Sequence, residues 1–169
     1  MLKPREKVPN LEVDLINDTH WKLEDQTPKN FILVVFYRGL HCPICKKQLE
    51  ELAGKLDKFV DRGVNVVAIS CDTEEKAKKT GNTWNVPSLP IGFEMSIDKA
   101  REWGLYISKA KDDKEPNHFS EPGMFLIRPD QTLYFASIQT MPFARPGFDD
   151  ILNAIDYVMK NDYPARGES

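Results

Sequence analysis

A chain of 169 residues with 41% hydrophobic and 29% charged side chains can bury a sizeable core, which excludes a disordered chain or a disulfide-dependent miniprotein and leads us to expect one domain over residues 1–169. Lys and Arg total 23 against 26 Asp and Glu, a net charge of −3, so a basic nucleic-acid footprint is absent and no nucleic-acid partner is expected. The longest apolar run, FILVVFY from Phe31 to Tyr37, falls far short of the roughly 20 residues of a membrane helix, and MLKPREKVPN lacks the apolar stretch of a leader, so a cytoplasmic protein without a membrane partner is expected.

Residues 1–30 carry a short alternation, Leu11, Val13 and Leu15, then NDTH, then Trp21 and Leu23, the pattern of an N-terminal hairpin. The apolar run from Phe31 reads as a strand buried on both faces. Leu49, Leu52, Ala53, Leu56, Phe59 and Val60 recur at spacings of three and four and predict a helix from Pro43 to about Val60, weakened at Gly54 by about 1 kcal/mol relative to Ala. VNVVAIS, ending before Cys71 and Asp72, is a second strand, so a parallel strand–helix–strand crossover follows. Thr73–Thr80 is helix-compatible, 85–93 is broken by Pro87, Pro90 and Gly92, and Ile97–Trp103 is a short helix closed by Gly104. The polar stretch 106–120 reads as a long surface loop. GMFLI and TLYFASI, joined by RPDQ, predict an antiparallel hairpin, and Phe148, Ile151, Leu152, Ile155 and Val158 predict a terminal helix followed by a flexible tail over 160–169.

Of three cysteines, Cys42 and Cys45 form a C-x-x-C. Pro43 suits the first helical position, which makes Cys42 the N-cap, facing free backbone N–H groups and the positive end of the helix. With Arg38, Lys46 and Lys47 near in sequence, the thiolate is favoured there, and nucleophilic attack is assigned to Cys42. Cys45, three residues on in the same turn, is placed to resolve a mixed disulfide. A zinc or iron–sulfur site would need two further ligands, and Cys71, His20, His41 and His118 offer no second paired spacing, so no metal and no cofactor are expected. Cys71, at the end of a strand, reads as a small core hydrophobe, with a regulatory thiol as the alternative. His41 is a candidate proton relay, and His20 and His118 read as surface or packing residues. Arg145 either orients substrate or pairs with Asp149 or Asp150, the second being preferred.

The segments VPNLEV, FYRGLHCPICKKQLEEL, VNVVAISCD, WNVPSLPIGFEMSIDKAREWGLY, PGMFLIRPDQTLYF and RPGFDDILNAIDYV together resemble the alkyl hydroperoxide reductase/thiol-specific antioxidant (peroxiredoxin-like) group of the thioredoxin superfamily. The resemblance implies an α/β, thioredoxin-like fold with a central mixed sheet flanked by helices, and it makes residues 84–106 the peroxiredoxin-type insertion. It also implies a P-x-x-x-T-x-x-C signature and an arginine ahead of the FLI strand, where this chain has Val35, Gly39 and Pro122. By likeness to thioredoxins, Pro122 is expected to be a cis-proline beside the C-x-x-C, with the backbone of Glu121 open to a disulfide substrate. The main expectation is therefore a thiol–disulfide oxidoreductase regenerated by a thioredoxin- or glutathione-type dithiol, with a homodimer possible. The alternatives are a peroxidase in which Cys42 passes through sulfenic acid and a non-enzymatic redox sensor or metal-binding module. Arg38 is the candidate to replace the missing guanidinium.

Overall fold

The computed structural model describes residues 1–169. The apolar run forms β3 (Phe31–Phe36), buried at every position. It lies at the heart of a seven-stranded sheet of order β2-β1-β5-β4-β3-β8-β9, built with β1 (Glu12–Leu15), β2 (His20–Lys22), β4 (Val64–Ile69), β5 (Ile91–Phe93), β8 (Gly123–Ile127) and β9 (Leu133–Ile138). β3 runs parallel to β4 and antiparallel to β8, with Val34 opposite both Val67 and Phe125. β4 and β5 are also parallel, whereas β1–β2, β1–β5 and β8–β9 are antiparallel, so the sheet is mixed and the N-terminal hairpin forms one of its edges.

Successive side chains of a strand point to opposite faces, and β3 divides the core accordingly. Phe31, Leu33 and Val35 join Leu49, Leu52, Phe59, Phe148, Leu152 and Ile155 under helices α1 (Pro43–Gly54), α2 (Leu56–Asp61) and α5 (Phe148–Asn161). Ile32, Val34 and Phe36 join Val67, Ile69, Trp103, Phe125 and Leu133 on the other face, beneath α4 (Ile97–Glu102). There Phe125 meets Trp103 and Phe36 edge-on, with ring centroids 5.1 and 5.6 Å away. Phe125→Ala would leave a cavity in a close-packed layer and should cost about 3–5 kcal/mol, read as a lower urea midpoint at unchanged slope.

The structure departs from the sequence reading in four places. The helix expected from Pro43 to Val60 is interrupted at Lys55, where φ −114° and ψ 7° leave the helical range immediately after Gly54. The proline-broken stretch contains β5, because Ile91, Gly92 and Phe93 lie beyond Pro90 and pair with both β4 and β1. The expected loop 106–120 contains a separate two-stranded sheet, β6 (Ile107–Lys109) and β7 (His118–Ser120), whose antiparallel register pairs Ser108 with Phe119. Finally, 160–169 completes α5 and then folds back: Ala165 is 4% exposed and its carbonyl accepts from Arg5 Nε at 3.0 Å. α3 (Glu74–Thr83) and the 97–102 helix, the latter ended by Gly104 at φ +76°, form as expected. No helix is long and apolar enough to cross a membrane.

Candidate active site

At the C-terminal end of β3 the chain makes a turn over 38–41 and enters α1 with Cys42 as its N-cap and Pro43 in the first turn, the arrangement the proline predicts. The turn is clamped from below. Leu40 N–H donates to Asp72 Oδ2 at 2.8 Å, and Gly39, at φ +137°, leaves no room for a side chain, since a Cβ there would lie 2.6 Å from Asp72 Oδ1. Only glycine both tolerates that φ and admits the carboxylate. Sequence reasoning saw Gly39 as a departure from a signature and missed Asp72 as its partner, because the contact joins the separate loops that follow β3 and β4.

Cys42, Cys45 and Cys71 are free thiols. Cys42 is 1% exposed, and its Sγ accepts from Cys45 N–H at 3.2 Å. Cys45 lies beneath it, fully buried, and its Sγ accepts from Arg38 N–H at 3.4 Å. Arg145 reaches both sulfurs: Nη2 is 3.1 Å from Cys45 Sγ and 3.8 Å from Cys42 Sγ. Its guanidinium is anchored by Nε on the Pro142 carbonyl at 2.7 Å and by Nη1 on Gln48 Oε1. The expected pairing of Arg145 with Asp149 or Asp150 does not form; Asp149 pairs with Lys55 instead, and Ala144, at φ +57°, directly precedes Arg145.

Arg38 supplies a second guanidinium. Its Nε lies 3.0 Å from Glu121 Oε2 and its Nη2 3.4 Å from Glu121 Oε1 and 3.7 Å from Glu115 Oε1, while the guanidinium lies over the Phe119 ring at 4.7 Å. His41 packs edge-on to the same ring at 4.7 Å. Both of its ring nitrogens are buried without a protein hydrogen-bond partner, and burial followed by the nearby Arg38 pushes its pKa down. Both effects favour the neutral form of the imidazole that was expected to relay a proton.

The two thiols titrate in opposite directions. A hydrogen bond from the Cys45 thiol, the Cys45 backbone N–H, Arg145 and Arg38 together overcome burial and lower Cys42 to about 6. Burial, then the neighbouring Cys42 thiolate, push Cys45 up. Because the Cys42 pKa is depressed, its anion is present above about pH 6 and is lost below it. Alkylation of Cys42 should rise through that pH and be nearly flat above about pH 7, where roughly nine-tenths is thiolate; mass-spectrometric rate profiles check this.

Pro122 is corrected. The structure has no cis peptide bond, so Glu121–Pro122 is trans. Its surroundings are also already paired: Glu121 N–H donates to the Tyr106 carbonyl at 2.7 Å, and the Pro122 carbonyl accepts from Gln139 N–H at 3.0 Å. The insertion leading to β6 thus occupies the backbone edge that was expected to receive a disulfide substrate, and Glu121 contributes a carboxylate to Arg38 instead. Cys71 is half-buried against the second core face, with burial raising its pKa. His20 lies exposed between Asp14 and Glu12, 2.6 Å from each, and His118 is exposed on β7.

The sequence profile of the AhpC/TSA family matches residues 4–136. The chain belongs to the AhpC/TSA family. It is 26% identical over 157 residues to 1-Cys peroxiredoxin A of Oryza sativa subsp. japonica, covering 88% of this chain and 69% of that protein. Among solved structures it is similar to the peroxidoxin BcpB of Mycobacterium tuberculosis, with a TM-score of 0.76 over 94% of this chain and 99% of that one at 17% identity. It is also similar to a yeast mitochondrial 1-Cys peroxiredoxin, with a TM-score of 0.77 over 96% and 78% of the two chains at 16% identity. The fold is thioredoxin-like, and within this AhpC/TSA chain both guanidiniums at the thiols lie outside the position where the family resemblance placed one.

Proposed function

We propose that the chain is a thiol-dependent peroxidase acting on hydrogen peroxide or alkyl hydroperoxides through Cys42. The observation that carries this reading is the Arg145 guanidinium lying 3.8 Å from Cys42 Sγ and 3.1 Å from Cys45 Sγ, with Arg38 also lowering the Cys42 pKa. The objections to a peroxidase were Val35, Gly39 and Pro122 standing where a proline, a threonine and an arginine were expected, and the last of these concerns the missing guanidinium. Two arginines from other elements supply that guanidinium, and fixed cations at the reacting sulfur stabilise charge developing on a leaving oxygen. The disulfide-first reading loses the cis-proline and the open backbone edge on which it relied. The relatives' names point the same way, the rice protein being named a 1-Cys peroxiredoxin.

In the first step the Cys42 thiolate attacks the terminal oxygen of the hydroperoxide. The S–O bond forms, the O–O bond breaks, and the departing alkoxide takes a proton from solvent to leave as an alcohol, or as water from hydrogen peroxide. In the second step Cys45 sulfur attacks Cys42 sulfur. The S–S bond forms, the S–O bond breaks, and the hydroxyl leaves with the Cys45 proton as water. A thioredoxin- or glutathione-type dithiol then returns two electrons and two protons, which places the cycle in a reducing compartment such as the cytoplasm. The yeast neighbour is described as resolving through the glutathione/thioredoxin systems. This chain carries a second cysteine, Cys45, within the first turn of α1, placed to resolve the sulfenic acid. Equimolar hydrogen peroxide should convert the reduced protein to an intramolecular Cys42–Cys45 disulfide, seen as loss of two hydrogens in intact mass; recovery of only a Cys42 sulfenic or sulfinic acid would remove Cys45 from the cycle.

A further inference from the structure

Arg38 faces two buried carboxylates. Glu121 makes the closer pair, at 3.0 Å, and Glu115 the longer one, at 3.7 Å, with side-chain exposures of 14% for Arg38, 5% for Glu121 and 8% for Glu115. Both carboxylates are held in place. Ser108 Oγ donates to Glu121 Oε1 at 2.7 Å, and the Lys111 backbone N–H donates to Glu115 Oε2 at 3.0 Å. Glu115 therefore enters the site from the connection between β6 and β7.

A second buried carboxylate on a guanidinium that is already paired adds desolvation cost without adding a cation, so stability does not account for Glu115. Its charge sits on Arg38, whose own backbone N–H reaches Cys45 Sγ at 3.4 Å, so it lies beside the dithiol. Arg38 with Glu115 and Glu121 carries a formal charge of about −1 at neutral pH, and the Cys42 thiolate and Arg145 offset one another. Lys76 and Asp112, whose charges act on His41 in opposite directions, offset one another as well. An incoming reagent thus meets a net negative charge in partly desolvated surroundings, where Coulomb interactions are several-fold stronger than in water.

We infer that Glu115 is a specificity-determining residue, making the site accept uncharged hydroperoxides and disfavour anionic oxidants. Selectivity among oxidants rests on the peroxidase reading; selectivity among alkylating agents at the same thiolate does not.

The test uses the full chain carrying Cys45→Ser, so that Cys42 is the sole thiol of the site, with and without Glu115→Gln. Second-order rates at Cys42, located by peptide mass spectrometry, are measured with iodoacetamide and iodoacetate, and with hydrogen peroxide and the peroxymonosulfate anion. The ratio of anionic to neutral rates divides out any change in thiolate fraction. Glu115→Gln should raise both ratios about tenfold, the size of one unit charge acting over several ångströms at a partly buried site. Glu115→Asp, which keeps the charge, should retain the parent ratios. Added salt should raise the anionic rates of the parent more than those of the Gln variant. Unchanged ratios in both pairs, or an Asp variant that behaves like Gln, would overturn the assignment. If the alkylation ratio moves while neither oxidant consumes Cys42, charge control by Glu115 stands and the peroxidase reading falls.

Discussion

Cys42→Ser abolishes peroxide consumption, by more than about a thousandfold, while leaving the fold intact. The two halves of this expectation come from the same position. Cys42 is the N-cap of α1, its sulfur accepting the Cys45 N–H at 3.2 Å, and serine is among the preferred N-cap residues, so the first turn keeps its acceptor and the melting temperature should hardly move. The hydroxyl, however, is not ionised by an environment that brings a thiol to about 6, and no nucleophile remains. Cys45 cannot take over, since it is fully buried and its pKa is pushed up by burial. Peroxide consumption followed beside a thermal melt separates the chemical loss from a folding loss; appreciable turnover by this variant would move the nucleophile elsewhere.

The second large effect is that of Arg145→Leu. Removing a guanidinium 3.8 Å from Cys42 Sγ and 3.1 Å from Cys45 Sγ has two consequences of the same sign. The cation favours the thiolate, so without it the midpoint of the Cys42 alkylation profile moves up from about 6 toward the ordinary thiol range, and less thiolate is present at neutral pH. The transition state also loses a fixed donor, a change that costs about 100-fold or more where such donors have been removed from enzymes. Peroxide reactivity at neutral pH should therefore fall by at least about 100-fold, and raising the pH should restore only the part due to ionisation. Arg145→Lys should recover part of the pKa effect but less of the rate, because a point charge cannot hold Gln48, the Pro142 carbonyl and both sulfurs at once. A variant profile still centred near 6 would exclude Arg145 from the control of Cys42.

The nucleophilic turn was legible in the sequence because its causes are local. A fully apolar run predicts a strand buried on both faces, and a proline directly after a cysteine predicts a capped helix start; β3, Cys42 and Pro43 lie where those patterns put them. Of the groups around the thiols, Arg38 was legible because it lies four residues before Cys42, whereas Arg145 and Glu115 were not, because they arrive through tertiary contacts. Arg145 is separated from Cys45 by 100 positions and lay closer in sequence to Asp149 and Asp150, which made the local pairing the natural guess. Glu115 sits in a polar stretch whose composition reads as solvent-exposed, yet the short strands on either side pair with each other and carry it onto Arg38. The same two strands explain the failure at Pro122: the likeness to thioredoxins assumes an open backbone edge there, and Tyr106 fills it. β5 was hidden because prolines mark the start of its segment while its pairing begins only beyond Pro90.

The central claim is that Cys42 reacts first with a peroxide rather than with a disulfide. The direct measurement is stopped-flow oxidation of the reduced Cys45→Ser variant, with hydrogen peroxide and a model disulfide offered separately at equal concentration and the product at Cys42 trapped and identified by mass. The account predicts rapid formation of a Cys42 sulfenic acid with peroxide and a much slower mixed disulfide. Rapid mixed-disulfide formation with a Cys42 that stays reduced in peroxide would contradict it and return the chain to the disulfide oxidoreductases.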